Sequence, residues 1–445
     1  MVDKLEDLCG KFSSLTSSYK KIIVAYSGGL DSHVLLHLLV NSSIAKSKIT
    51  ALHVNHNISP NSKKWATHCQ RVCEKLKVKY VTRDLEVTDF SKKSKEEVLR
   101  NLRYEIFADV LPKGAALLTA HHADDQAETL LLQLFRGGGP KGLAGMPEKI
   151  KFAKGYLMRP LLGFSRCDLE QYAKKHKLKW IDDESNFDTK FDRNFIRHKL
   201  MPKIQKNWPG AVTALNRSAS HCAEAAELLE VLAEKDLEEV ALHCHPRVDG
   251  DPEKMIINIT PLKKLSLTRQ KNVIRFWLGK PNLPLPSETK LNEIIRTVVN
   301  SRYDRMPVVE WKGAEVRRFR NNLYAMPPLA PHDNKQVLFF SGKSLKLPGG
   351  LGALKIKTSS SSPPKIRGDK LSGNPVEFKL NPKKLEVRFR QGGEKIKLPG
   401  RRGTHDLKKL MQEWDIPPWQ RDRIPIVYYD EKIVAVVGYY GILHP

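Results

Sequence analysis

Ile22-Ile23-Val24-Ala25-Tyr26-Ser27-Gly28-Gly29-Leu30-Asp31-Ser32 is the stretch that decides the fold. Five uncharged residues read as a buried strand, two glycines break it, and a helical pattern begins near Ser32. Strand, tight loop and helix in that order aim the loop's backbone N–H groups outward at the positive end of the helix dipole, which makes an anion site. Gly28 and Gly29 allow positive φ and close approach of backbone to a phosphate. Ser27 and Ser32 add hydroxyl donors, and Asp31 can hold Mg²⁺ against phosphate oxygens. The loop lacks the Gly-Lys-Ser/Thr ending of a Walker loop.

Outward from the loop the rhythm repeats. Apolar runs at 49–54, Tyr80-Val81-Thr82 and Ala115-Ala116-Leu117-Leu118-Thr119 alternate with helical patterns, among them one through Trp65 to Leu76. That rhythm predicts an α/β domain, a Rossmann-like parallel sheet with crossover helices, whose ligands bind at the carboxyl ends of the strands. Residues 211–240 and 267–278 carry helical periods and predict a mostly helical region over 209–324. Residues 336–357 alternate, and the polar Thr358-Ser359-Ser360-Ser361-Ser362-Pro363-Pro364 reads as a flexible loop. From about residue 376 strands return around a helix at 406–414, a small mixed α/β end.

The 445 residues exceed one compact core, and 40% hydrophobic with 28% charged residues is a globular composition. No apolar run reaches membrane-spanning length and the N-terminus carries no signal core, so the expectation is a cytoplasmic protein with no membrane partner. Lys and Arg outnumber Asp and Glu by 76 to 49, a formal net charge of +27, which points to a polyanionic partner, nucleic acid first. Six scattered cysteines form no disulfide framework. Cys69 and Cys73 share a helix face but have no second ligand pair for a metal.

A second constellation lies in Thr119-Ala120-His121-His122-Ala123-Asp124-Asp125-Gln126-Ala127-Glu128-Thr129. It leaves a buried strand and enters a helix, so Asp125 and Glu128, three apart, share a face. Two carboxylates at a strand's carboxyl end can support Mg²⁺, accept from an amino group or act as general base; they can equally be acids complementing a helix dipole. His121 and His122 read as packing or hydrogen-bonding groups before metal ligands. Arg103, on the preceding helix, suits charge developing on a transferring phosphoryl group. Asp182-Asp183-Glu184-Ser185-Asn186, followed by Asp192-Arg193-Asn194-Phe195-Ile196-Arg197, is a polar turn leading into a basic helix. Near the end, ten Lys/Arg against three Asp/Glu between Lys383 and Lys409, with Trp414 and Trp419 beyond, suit phosphate contact and stacking; the two tryptophans can also be core.

Ser27 to Ser32 matches the Ser-Gly-Gly-x-Asp-Ser signature of the PP-loop ATP enzymes at every position. The wider set resembles the tRNA(Ile)-lysidine synthetases. The likeness runs through His53-Val54-Asn55-His56, Trp65, Glu97, Arg103-Tyr104, His121 to Thr129, Arg136-Gly137-Gly138-Gly139, Arg159-Pro160-Leu161 and Asp183 to Arg197. It resumes in Arg388-Phe389-Arg390-Gln391-Gly392-Gly393-Glu394, Leu407-Lys408-Lys409 and Trp419 to Pro425.

The resemblance implies that ATP adenylates the C2 oxygen of the wobble cytidine in the CAU anticodon of an isoleucine tRNA. Free L-lysine then displaces AMP to form lysidine. It implies that Ser27, Gly28, Gly29, Leu30, Asp31 and Ser32 bind ATP, with Asp31 on Mg²⁺, while Asp125, Glu128 and Arg197 act on the cytidine and Arg103 supports adenylation. It divides the chain into a catalytic domain at 1–208, a helical tRNA-binding domain at 209–330 and a mixed α/β tRNA-binding domain at 331–445. The oligomeric state stays open, a dimer being one option, as does the group that deprotonates lysine. A tRNA thiolase of the same superfamily would need a Cys-x-x-Cys pair, which is absent. A non-catalytic RNA-binding protein would have no use for an intact ATP loop.

Overall fold

The computed structural model describes residues 2–55, 61–85, 95–181, 188–242, 256–340, 344–359, 362–368, 376–377, 385–398, 403–437 and 440–441. His56, residues 182–186, Cys244, Lys383, Lys384, Arg401 and Arg402 lie outside them. The chain forms two compact units, Met1–Leu228 and Leu229–Pro445.

The first unit is built on strands β1 (Ile22–Ala25), β2 (Ile49–Asn55), β3 (Lys79–Asp84), β4 (Ala116–Leu118), β5 (Lys149–Phe152) and β6 (Gly155–Met158), in the order β3-β2-β1-β4-β6-β5. Only β5, at one edge, runs antiparallel. Its helices are α1 (Val2–Thr16), α2 (Leu30–Val40), α3 (Ser62–Leu76), α4 (Lys95–Val110), α5 (Ala123–Phe135), α6 (Pro140–Leu143), α7 (Arg166–Lys175), α8 (Asp192–Phe195) and α9 (Met201–Asn207). The long α10 (Ala211–Val240) follows.

Strand periodicity explains why β1 reads as an unbroken apolar run: both faces are covered. Ile22 and Val24 point into one core with Phe12 of α1, Leu35 and Leu39 of α2, Cys69 and Cys73 of α3 and Tyr172 of α7. Ile23 points the other way, against Phe107 of α4 and Leu111 just beyond its end. Each such buried side chain contributes roughly 1.5–3 kcal/mol, so the sheet's centre is rigidly held. Because β1 lies between β2 and β4, the loop after β1 and the segment after β4 emerge side by side at the point where the strand order reverses, the place where open α/β sheets bind ligands.

In the second unit the expected helices are present, at Leu267–Gly279 and in the later part of α10, with further helices at Ile259–Lys264 and Glu288–Glu293. A five-stranded antiparallel sheet from Ala241–Leu242, Ile256–Asn258, Asn322–Met326, Ala314–Phe319 and Val308–Trp311 packs with them around Trp277, Ile274, Leu291 and Leu323. Further on, residues 358–359 and 362–364 of the Ser/Pro-rich stretch lie in strands and not in a loop, Ala353–Ser359 and Ser362–Gly368 pairing antiparallel, while Ser360 and Ser361 lie outside the described residues. The register shifts between Lys357 and Ser359, and Pro363 and Pro364 fall in that irregular part of the ladder, where a missing N–H costs least. The helix expected near the end spans Leu407–Glu413. Trp419 meets Phe319, Tyr324 and the Arg317 guanidinium, with ring or cation distances of 6.2, 5.5 and 5.5 Å, so it packs within this unit.

Candidate active site

The phosphate loop is held open by its own side chains. Ser32 Oγ accepts from the Ser27 N–H at 3.2 Å and donates to the Gly29 carbonyl at 3.0 Å; Ser27 Oγ accepts from the Gly29 N–H at 3.3 Å. No side chain caps α2, which leaves the helix's positive end facing the loop. Gly28 has φ +85°, and its carbonyl accepts from the Ile181 N–H at 3.0 Å. A Cβ at Gly28 would lie 2.7 Å from Cys69 Sγ, so glycine is required there by backbone and by space alike.

Asp31, in the first turn of α2, meets a partner the sequence did not suggest. Arg166, at the start of α7, donates through Nη1 to both Asp31 oxygens at 2.7 and 2.8 Å, while its backbone N–H bonds Asp124 at 2.8 Å. Burial raises the Asp31 pKa, against the pull of His122 and Arg166.

Past β4, Thr119 Oγ1 and His121 Nδ1 lie 2.9 Å apart, and Asp125 accepts from the His122 N–H at 3.0 Å, which fixes the entry into α5. Asp125 and Glu128, only 8% and 2% exposed, need compensating charge. Two arginines of one helical stretch supply it. Arg193 donates through Nε to Glu128 at 2.9 Å and through Nη2 to Asp125 at 3.0 Å; Arg197 donates through Nε to Glu128 at 2.6 Å and through Nη2 to Asp125 at 2.9 Å. They lie four apart, Arg197 in a π-helical turn (Ile196–Leu200), so both guanidinium groups reach the same pair. Burial alone would push Asp125 up, but His122 and the two arginines hold it well below the usual carboxylate range.

His122 bridges the two constellations. Its imidazole nitrogens lie 3.4 Å from Asp125, 3.5 Å from Asp124 and 3.9 Å from Asp31. Burial disfavours its charge, yet those three carboxylates outweigh it and raise the pKa above 6.5. His121 goes the other way, down to about 3, through burial and the repulsion of Arg193, Arg159 and Arg103. With His122 protonated, four cations (His122, Arg166, Arg193, Arg197) balance four carboxylates (Asp31, Asp124, Asp125, Glu128).

The structure therefore brings together Ser27, Gly28, Gly29, Leu30, Asp31, Ser32, Asp125, Glu128 and Arg197, and sets Arg103 close enough to His121 to lower its pKa. Arg193 and Arg166 were missed as site residues. The first had a signal, its four-residue spacing from Arg197; the second had none, being 135 residues from Asp31. In the basic tail, Arg388 pairs with Glu386 and Glu431, and Arg390 with Asp422, so those two charges are already compensated.

A parallel sheet that carries this loop beside a carboxylate pair defines an ATP-using enzyme of the PP-loop class, and a family profile described as a PP-loop domain matches residues 2–204. Profiles described as the TilS substrate binding domain and the TilS substrate C-terminal domain match residues 257–324 and 385–441. The tRNA(Ile)-lysidine synthase of Coxiella burnetii (strain RSA 493 / Nine Mile phase I) is 41% identical over 96% of this chain and 91% of its own. That of Methylococcus capsulatus (strain ATCC 33009 / NCIMB 11132 / Bath) is 38% identical over 93% and 90%. The chain belongs to the tRNA(Ile)-lysidine synthase family. Among solved structures, the U34-tRNA thiolase NcsA from Methanococcus maripaludis with its [4Fe-4S] cluster is 16% identical, covers 50% of this chain and 78% of its own, and has a TM-score of 0.43.

Proposed function

We propose that this chain forms lysidine on tRNA(Ile) as a carbon–nitrogen ligase. ATP adenylates the C2 oxygen of the wobble cytidine in the CAU anticodon, releasing pyrophosphate, and the ε-amine of free lysine then attacks C2 and expels AMP. The oxygen leaves only because it has become part of a phosphate ester. The observation that carries the reading is the convergence of Asp125, Glu128, Arg193 and Arg197 beside the phosphate loop.

The loop Ser27–Ser32 grips the ATP phosphates. Mg²⁺ fits the donor set, since it is commonly held by one or two carboxylates together with substrate phosphate oxygens. Among the described residues no group of three or more His, Cys, Asp or Glu would hold a metal by itself. Asp31 would hold the ion, which would supply charge neutralisation at the phosphates. Arg103 and Arg197 stabilise charge on the cytidine oxygen and the transferring phosphoryl group. Lysine's amine, with an ordinary pKa of about 10.4, must lose a proton before attack. Asp125, held far down, is a weak base; Glu128 becomes the acceptor when Arg197, the more exposed of its two arginines, turns to the cytidine.

Residues 1–208 carry the chemistry, and 209–330 and 331–445 bind the tRNA. Acting on tRNA, the chain works in the cytoplasm; among the described residues no helix is long and apolar enough to cross a membrane. The test is mass spectrometry of the tRNA(Ile) transcript after incubation with ATP and lysine. Lysidine should appear only with both, while ATP–pyrophosphate exchange dependent on tRNA should persist without lysine. Unmodified tRNA under these conditions overturns the reading.

A further inference from the structure

After Asp192 the chain has no Asp or Glu until Glu224, while it carries Arg193, Arg197, Lys199, Lys203, Lys206 and Arg217. Arg193 and Arg197 are occupied by the carboxylate clamp. The other four are exposed and make no ion pair among the described residues.

Two large aromatic side chains stand in the same stretch without burial: Phe195, 52% exposed, and Trp208, 65% exposed. Trp208 sits at the elbow between α9 and α10. The elbow is fixed by backbone bonds, Trp208 N–H to the Ile204 carbonyl at 2.8 Å and Ala211 N–H to the Trp208 carbonyl at 2.9 Å. There the ring lines an apolar hollow of about 510 Å³ with Ile204, Pro209, Ala211, Ala214 and Leu215. An exposed tryptophan beside an apolar hollow, in a stretch of chain that carries four exposed cations and no acid, has the two components of a single-stranded nucleic-acid site: a stacking face and phosphate neutralisation.

Resting on the reading of tRNA as substrate, we infer that Trp208 is a stacking platform for an unpaired base of the anticodon loop that flanks the reacting cytidine, with Lys199, Lys203 and Lys206 on its phosphates. Trp208 follows Arg197 by 208 − 197 = 11 residues, roughly 16 Å along a helical path. That is the scale of a few nucleotides from the carboxylate clamp, so the platform holds the loop splayed while the cytidine enters the site.

The experiment measures affinity for the tRNA(Ile) transcript across a salt series, together with ATP affinity and thermal melting, for the wild type, Trp208→Ala, Trp208→Phe and Lys199→Gln/Lys203→Gln/Lys206→Gln. Trp208→Ala should weaken tRNA binding roughly 5- to 100-fold, the range of one base–aromatic stack. Trp208→Phe should stay within about 3-fold, since any π-face serves, and the melting temperature and ATP affinity should not move. The triple variant should flatten the slope of log affinity against log salt by about 0.7 for each phosphate that is no longer neutralised. Unchanged RNA affinity in Trp208→Ala overturns the inference, whether or not its oligomeric state shifts. Equal losses in Ala and Phe with a lowered melting temperature also overturn it, because they describe a packing role. A wild-type protein that neither binds nor modifies the transcript removes the tRNA reading itself, and the wild-type arm shows this without any variant.

Discussion

Arg193 and Glu128 form a buried pair whose geometry ties two catalytic candidates into one body: the Nε of Arg193 bonds Glu128 at 2.9 Å while its Nη2 reaches Asp125 at 3.0 Å. A planar guanidinium spans the two carboxylates with donors held at a fixed spacing, which the point charge and rotatable donors of a lysine ammonium do not reproduce. Arg193→Lys should therefore uncouple Asp125 from Glu128 with the charge retained. The expected result is a loss of about 2 to 3 kcal/mol in unfolding free energy, the scale of hydrogen bonds to charged groups, and a rate of lysidine formation lowered by roughly 10²-fold. Denaturant unfolding and single-turnover kinetics measure both; a lysine variant with wild-type rate would show that the pair is packing and not positioning.

Arg166 holds both oxygens of Asp31, at 2.7 and 2.8 Å. A cation at Asp31 must then compete with a guanidinium already in place. Arg166→Gln should lower the Mg²⁺ concentration needed for half-maximal ATP binding, and Asp31→Ala should abolish pyrophosphate exchange while leaving thermal melting close to wild type. Calorimetric titration of ATP at several Mg²⁺ concentrations checks the first. An unchanged Mg²⁺ dependence in Arg166→Gln would mean that the pair persists when ATP is bound.

The parts of the site carried by short-range spacing were legible in the sequence. Ser27 to Ser32 lie on one loop, and Asp125 and Glu128 are three apart on one helix, so local geometry alone brings them together. Arg166 and Asp31 meet only because α7 packs on α2, a tertiary fact with no local trace. The sheet of the second unit was hidden for a different reason. Two of its five strands, Ala241–Leu242 and Ile256–Asn258, are too short to show alternation, and the other three, of four to six residues, are outweighed in the sequence by the longer helical periods beside them. The serine run misled because composition says little where pairing decides: Ser359 and Ser362 are partners in antiparallel strands.

Gly28 offers a test of the loop that does not touch charge. With φ +85° and a would-be Cβ 2.7 Å from Cys69 Sγ, Gly28→Ala suffers both backbone strain and a clash. The backbone part costs about 1 to 2 kcal/mol. The variant should bind ATP more weakly and melt earlier, and adding Cys69→Ala should recover the part of the clash that Cys69 makes, but neither the tight contact with Ile181 Cδ1 at 3.0 Å nor the backbone part. ATP titrations and melting curves of the two single variants and the double variant decide it. Full recovery in the double variant would show that the positive φ carries no cost here.

His121 sets the sign of a pH dependence. Burial and the neighbouring arginines hold its pKa at about 3, below the ordinary 6.5, so it stays neutral in the folded protein while the unfolded chain takes up a proton. Between pH 6.5 and 3 the unfolded state therefore binds up to one more proton at this position. The stability that a neutral His121 provides is complete above pH 6.5 and is lost progressively as the pH falls toward 3. His122 is opposite: its pKa is raised, so its contribution is complete below 6.5 and fades as pH rises through the folded value. His121→Asn should flatten the decline of unfolding free energy on the acid side by up to one proton's slope and leave the alkaline side as it is. Urea unfolding at half-unit pH steps from 4 to 8 makes the comparison. Parallel curves for the variant and the wild type would mean that His121 is protonated as readily in the fold as in the open chain, and that the three arginines around it are screened from its ring.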